Sequence, residues 1–167
     1  KKLGKLSKGM LSMVTIIVAM CSKAPYTILD EPVAGLDVVA REQFYKLLLE
    51  EYSTSGRTFL ISTHIIEEAA DVLEEVIILH EGKILLVEET QELLERVRYV
   101  SGKAEEVDAA VAGLETHHPE TLGRSKGVTV FLRPGQKVDE SRDVSVQMVN
   151  LQKAFVALCG EEAHHEA

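Results

Sequence analysis

Cysteine is scarce in this chain: only Cys21 and Cys159 occur, far apart and without metal-type spacing. That argues against a cysteine-ligated metal site, and a disulfide is the weaker reading. Both lie in apolar helical patterns, so they read as buried free thiols of a reducing compartment. Long hydrophobic runs are absent as well. A membrane-spanning helix needs about 20 apolar residues, and the longest candidate, Met10 to Met20, is shorter and interrupted by Ser12 and Thr15. Lys1, Lys2, Lys5 and Lys8 precede it, as in a secretory signal, but no small-residue cleavage motif follows and the chain runs into Pro25. The segment is expected to be a helix buried in a protein interior. Positive charge is also short. With 18 Lys and Arg against 27 Asp and Glu the net charge is −9, which speaks against a nucleic-acid-binding face. No internal repeat is evident.

What is present is ordinary globular composition, 46% hydrophobic and 27% charged over 167 residues, enough for one domain or one with a small appendage. Ser7 reads as the cap of a helix from Lys8 to Lys23. A strand follows at Tyr26. Gly35-Leu36-Asp37 forms a loop, and Asp37 caps a second helix reaching Ser53, with Phe44, Leu47, Leu48 and Tyr52 on one face. Thr58 to Thr63 is β-branched and aromatic, hence a strand ending at His64. A short acidic helix spans Glu67 to Leu73. Val76 to His80 and Lys83 to Val87 form a hairpin across Glu81-Gly82, and Thr90 caps a helix through Val97. This alternation predicts an α/β sheet.

From Arg98 the texture changes. Arg98 to Ser101 reads as a strand, Ala104 to Leu114 as a helix, and Thr116 to Gly127 as a polar loop or weak strand. Val128 to Leu132 is a strand, Pro134 to Asp143 a loop, and Val144 to Val149 a half-buried strand. Asn150 caps a last helix to Leu158, whose Leu151, Phe155 and Leu158 share one apolar face. Residues 1–97 and 98–167 are thus expected to be two parts, the second a small α+β appendage.

The most informative run is Tyr26-Thr27-Ile28-Leu29-Asp30-Glu31-Pro32. Apolar residues make a buried strand, and two carboxylates stand at its C-terminal end, where parallel sheets place ligand crevices. Asp30 there could organise a Mg²⁺ shell and Glu31 polarise a water; a strand entering a solvated acidic turn is the plainer reading. His117, His118, His164 and His165 have no partners at ligand spacing and read as loop and tail residues.

Four short motifs occur in order: Leu6-Ser7-Lys8-Gly9-Met10, Ile28-Leu29-Asp30-Glu31-Pro32, Ala34-Gly35-Leu36-Asp37, and Ser62-Thr63-His64. Together they resemble the C-terminal half of an ABC-type ATP-binding subunit: signature sequence, Walker B strand, D-loop and switch histidine. The resemblance implies a partial P-loop NTPase sheet with ATP and Mg²⁺ as cofactors. It implies Asp30 as the Mg²⁺ residue, Glu31 and His64 as the catalytic pair, and Ser7, Lys8, Gly9 and Asp37 as nucleotide-facing residues across a dimer interface. Independently, Ser7 and Gly9 stand at a helix N-terminus, which attracts phosphate. Lys8 and Met10 stand where glycine and glutamine are commonest in the family, Ala34 where serine is, and Val38 where proline is.

A phosphate-cradling G-x-x-x-x-G-K-[ST] loop should precede such a site, and none of Gly4-Lys5, Gly82-Lys83 or Gly102-Lys103 fits it. The expectation is a fragment with negligible activity alone, an unpaired edge beside the Asp30 strand and a tendency to self-associate. The C-terminal helix is similar to the tails of ABC-2-type exporter subunits. The resemblance further implies a second ATP-binding subunit (a homodimer), a polytopic membrane permease as partner, no nucleic acid, and a cytoplasmic location at the inner face of the membrane. A translation- or repair-type ATPase of the same superfamily, or a non-catalytic interaction domain, are the alternatives.

Overall fold

The fold is that of a computed structural model, which describes residues 3–160. By their contacts these residues divide into two units, Lys1–Val72 and Leu73–Ala167. The division falls before the hairpin, so the hairpin and the helix after it group with the C-terminal strands rather than with the first part.

In the first unit a 3-10 turn, Leu3–Lys5, leads into α1, Lys8–Cys21. Ser7 is extended, and its hydroxyl oxygen accepts from the Met10 N–H at 3.2 Å, satisfying one of the free donors of a helix start. Only one stripe of α1, Ile16 and Met20, is fully buried, while Met10, Leu11, Met13, Ile17 and Val18 are exposed. The expected all-round burial is not met within the unit, because too few elements pack around this helix. Cys21 is likewise exposed, contrary to expectation, and Cys159 is intermediate; neither forms a disulfide.

Strand β1, Tyr26–Asp30, pairs in parallel with β2, Thr58–Ser62, in a register that sets Asp30 opposite Ser62. Thr27 and Leu29 point to the core, and Tyr26 and Ile28 to the open face. Among the described residues β2 is the only strand paired with β1. The crossover is α2, Val38–Ser55, capped by the Asp37 carboxylate on the Ala40 N–H at 2.9 Å. It stops at Gly56, whose φ of 64° is the left-handed cap that glycine takes without strain. It buries Phe44, Tyr45 and Leu48, whereas Leu47 and Tyr52 of the expected face are exposed. Helix α3 is only Ile66–Ala69, ending earlier than expected.

Arg57, between α2 and β2, is 5% exposed and holds this unit together. Its guanidinium donates to the carbonyls of Ala19, Met20 and Ala24, to the Thr27 hydroxyl at 2.7 Å, and to Glu51 at 3.0 Å. It also lies 4.9 Å from the Phe59 ring centroid. One planar cation thus binds the C-terminal end of α1, both strands and α2, and satisfies carbonyls left over at a helix end.

In the second unit β3, Glu75–His80, and β4, Lys83–Glu89, form the expected hairpin. Glu81 and Gly82 both have positive φ, 47° and 74°, as a two-residue primed turn requires. Thr90 does not cap α4, Thr90–Arg96, but opens it: its N–H donates to the Glu74 carbonyl, and its buried hydroxyl has no partner among the described residues. Strand β5, Val97–Lys103, lies inside a four-stranded antiparallel sheet. The sheet runs β6 (Glu115–Leu122), β7 (Ser125–Phe131), β5, β8 (Val144–Met148). The stretch read as a polar loop or weak strand is therefore mostly β6 and the start of β7. It is polar because β6 is an edge strand with much of its surface in water.

His117 and His118 lie in β6 rather than a loop, His117 pairing with Glu115 at 3.2 Å and packing edge-on against Phe131. His164 and His165 fall outside the described residues. Helix α5, Ala104–Ala110, covers a core of Val100, Val107, Val128 and Val130. Helix α6, Leu151–Cys159, is capped by Asn150 on the Lys153 N–H at 2.8 Å. Its buried stripe is Leu151, Ala154 and Ala157, with Phe155 and Leu158 only half-buried.

Candidate functional site

At the end of β1 the chain turns sharply. Pro32 and Val33 go inward, Val33 with no exposed surface. Asp30 and Glu31 are left at the surface edge, and Glu31 adopts φ 45°, a left-handed backbone uncommon for a residue with a Cβ. Its N–H donates to the Ser62 carbonyl at 2.8 Å, extending the β1–β2 pairing by one bond past the strands. Asp30 is exposed, and no described side chain is paired with its carboxylate.

Glu31 is in the opposite condition. Its Oε1 accepts from the His64 main-chain N–H at 3.0 Å and meets the His64 ring Nδ1 at 2.7 Å. Its Oε2 accepts from the Thr63 hydroxyl at 3.4 Å. The Thr63 oxygen in turn accepts from the Ile65 N–H at 3.1 Å, which fixes the hydroxyl beside the carboxylate. An ionised carboxylate only accepts, so the proton of the 2.7 Å contact sits on Nδ1. The far nitrogen, Nε2, is then an acceptor on the neutral ring and a donor only on the imidazolium. The His64 side chain is 76% exposed and that of Glu31 33%, so one partner stands in solvent and the other at its edge.

Ser7, Lys8, Gly9 and Asp37 form a second group. Ser7 and Asp37 cap α1 and α2, and the loop leaving Glu31 comes back onto the start of α1 at Gly35. A Cβ on Gly9 would collide with the Gly35 carbonyl oxygen. The two groups therefore stand at either end of one short loop. Direct side-chain bonds join only Glu31, Thr63 and His64.

Sequence patterns did not point to Ser12, Tyr45 or Arg57, and Thr63 stands in the Ser62-Thr63-His64 motif without an assigned role. Tyr45 lies in the core below the acidic turn. Burial raises its phenol above the ordinary value, Glu68 and Glu31 add to the rise, and Arg41 opposes it. Among the described residues its hydroxyl has no hydrogen-bond partner, and neither does the second oxygen of Glu68, whose first is held by Arg41 at 2.9 Å. No local signal marks these residues, since their partners are brought by the fold.

Residues 2–70 match the family described as "AAA domain, putative AbiEii toxin, Type IV TA system". The bacitracin transport ATP-binding protein BcrA of Bacillus licheniformis is 32% identical over 174 residues, covering 96% of this chain and 57% of that protein. The aliphatic sulfonates import ATP-binding protein SsuB of Albidiferax ferrireducens is 33% identical over 111 residues, covering 66% of this chain and 37% of that protein. Among solved structures, the ATP binding subunit of an ABC transporter superposes with a TM-score of 0.51 at 29% identity, over 56% of this chain and 38% of that one. The chain spans between 37% and 57% of the length of these two curated relatives.

Proposed function

Since this chain is a relative of the ATP-binding subunits of ABC transporters and carries part of their P-loop NTPase fold, we propose that it supplies the water-activating and cross-subunit portions of an ATP-hydrolysing site. The observation that carries this reading is the Glu31–His64 pair, two residues 33 positions apart sharing one carboxylate oxygen at the end of a parallel strand.

The residues fit the cofactors. Mg²⁺ takes one or two carboxylates and fills its shell with phosphate oxygens and water, and Asp30 offers one exposed, unengaged carboxylate. Bound there, the ion would neutralise charge on the phosphates of ATP. Glu31 orients the attacking water and takes its proton. His64 holds Glu31 through Nδ1 and turns Nε2 toward the γ-phosphate; because Nδ1 already donates to Glu31, only the imidazolium donates to both. Ser7, Lys8 and Gly9, at the start of α1, address the nucleotide of a second copy of the subunit, and Asp37 crosses the same interface. The phosphate-cradling G-x-x-x-x-G-K-[ST] segment is not in these 167 residues, so they would supply the metal side and the partner side only.

The wider setting is proposed on the same basis: a homodimeric subunit at the cytoplasmic face of a membrane, docked on a polytopic permease that selects the cargo. Among the described residues no helix is long and apolar enough to cross a membrane. Export is proposed from the likeness of the C-terminal helix to exporter tails and from the bacitracin-transport relative.

The test is Glu31→Gln in a polypeptide that joins these residues to a phosphate-cradling segment. Hydrolysis should fall roughly 10²–10⁴-fold, the range of a general base, and an ATP-bound dimer should accumulate on size-exclusion chromatography. Normal hydrolysis by that variant removes Glu31 from its role. The 167-residue chain by itself should show negligible ATPase activity.

A further inference from the structure

The loop that leaves Glu31 is fastened to α1 at successive points. The Ser12 hydroxyl donates to the Ala34 carbonyl at 2.8 Å, across 22 positions of sequence. Gly35 comes next, at φ 80°, with its carbonyl pressed so closely on Gly9 that no side chain fits at position 9. A Cβ on Gly35 would meet the Cγ and Cδ methylenes of Lys8 at 3.1 and 3.3 Å and the Gly9 nitrogen at 3.3 Å. Leu36 then buries its side chain, and Asp37 opens α2.

The Ser12 bond is informative because a hydroxyl inside a helix has a local alternative. It can bond back to the carbonyl four residues earlier, as Thr15 does to Leu11 at 3.1 Å on the same helix. Ser12 makes the long-range bond instead. The Lys8 methylenes lie over the flat face of Gly35, so the stem of this lysine packs on the loop whatever its ammonium group does. Hydroxyl, glycine contact and lysine stem engage two adjacent residues from one helix end.

We infer that Ser12 is a positioning residue, which together with Gly9 and the Lys8 stem latches the Ala34–Asp37 loop to the first turns of α1. The start of α1 and the start of α2 then move as one body. What this positions rests on the proposed function: the helix end that would meet a partner's nucleotide and the loop that would cross to that partner are displaced together or not at all.

The test uses amide hydrogen exchange on the 167-residue chain without nucleotide. The Ala34 and Leu36 N–H groups donate to Glu31 and Val33 carbonyls at 3.0 and 3.1 Å, and so report whether the loop is closed. Ser12→Ala should speed exchange at both by about five- to tenfold, the worth of one hydrogen bond. Thr15→Ala should change neither, and Ser12→Thr, which keeps the hydroxyl, should restore the slow rates. Wild-type rates in Ser12→Ala, or equal acceleration by Ser12→Ala and Thr15→Ala, overturn the latch. If Ser12→Ala does not fold, Lys8→Ala is read in its place: the same two amides should accelerate while those in the middle of α1 do not, and unchanged rates overturn the proposal. No nucleotide enters the measurement, so a failure here leaves the hydrolytic assignment to be judged separately by Glu31→Gln.

Discussion

Glu31 and His64 meet twice at one oxygen: the histidine's main-chain N–H and its ring Nδ1 both reach Glu31 Oε1, at 3.0 and 2.7 Å. The main-chain bond ties the two strand ends through the backbone, and the ring bond sets the imidazole's direction. A carboxylate held by three donors has little rotational freedom, which suits the proposed role of aiming a water.

This pair should contribute little to stability. A double-mutant cycle of Glu31→Gln and His64→Ala, read by urea unfolding, should give a coupling below about 1 kcal/mol, as for other exposed ion pairs. A coupling of several kcal/mol would make the contact a structural tie instead.

Arg57 should behave in the opposite way. Its guanidinium is buried and binds three carbonyls, a hydroxyl and Glu51, so Arg57→Ala leaves buried acceptors unpaired. The expected loss is about 3–5 kcal/mol, measured as a fall in the urea midpoint of the first unit. Lysine should recover only part of it, since a single ammonium cannot span the same fork.

Tyr45→Phe should be neutral or stabilising by about 1 kcal/mol, because the buried hydroxyl it removes has no partner among the described residues. The same change should remove an alkaline weakness. The Tyr45 phenol is raised above its ordinary 10.0 chiefly by burial. Its contribution is therefore whole below the ordinary value and declines as pH rises through the folded one. Urea midpoints compared at neutral and alkaline pH read both effects.

Glu51 supplies an acid-side prediction. Hydrogen bonds from Lys23, at 2.6 Å, and from Arg57 hold its carboxyl below the ordinary 4.5. Its stabilising effect is present above the ordinary value and lost as pH falls through the lower folded one. Glu51→Gln should flatten the acid limb of the stability–pH profile; an unchanged limb would show that other carboxylates dominate it.

The sequence was legible where structure is set by neighbours in the chain. Ser7, Asp37 and Asn150 are caps because their short polar side chains reach an N–H three residues on. Glu81-Gly82 makes its turn because both residues take positive φ. Patterns misled where tertiary context decides. Thr90 resembles a cap, yet its N–H is taken by Glu74 at a strand end. β6 is polar enough to read as a loop or a weak strand, since an edge strand tolerates polar residues on its exposed surface. In the candidate site, Asp30, Glu31 and His64 stood out through motif order, and β1–β2 pairing brings Glu31 and His64 together. Ser12 and Arg57 did not, and Thr63 carried no assigned role within its motif, because the partners Ala34, Ala19 and Glu31 lie 22, 38 and 32 positions away and leave no periodic trace.

The left-handed backbone at Glu31 has a consequence for how this protein could change. A side chain there costs about 1 kcal/mol relative to glycine, which adopts such angles freely. Selection for sturdiness alone would therefore favour glycine or asparagine at position 31 and would strip the carboxylate from the strand end. On the proposed function, a heat-tolerance screen blind to chemistry would select the very variants that lack the water-positioning group.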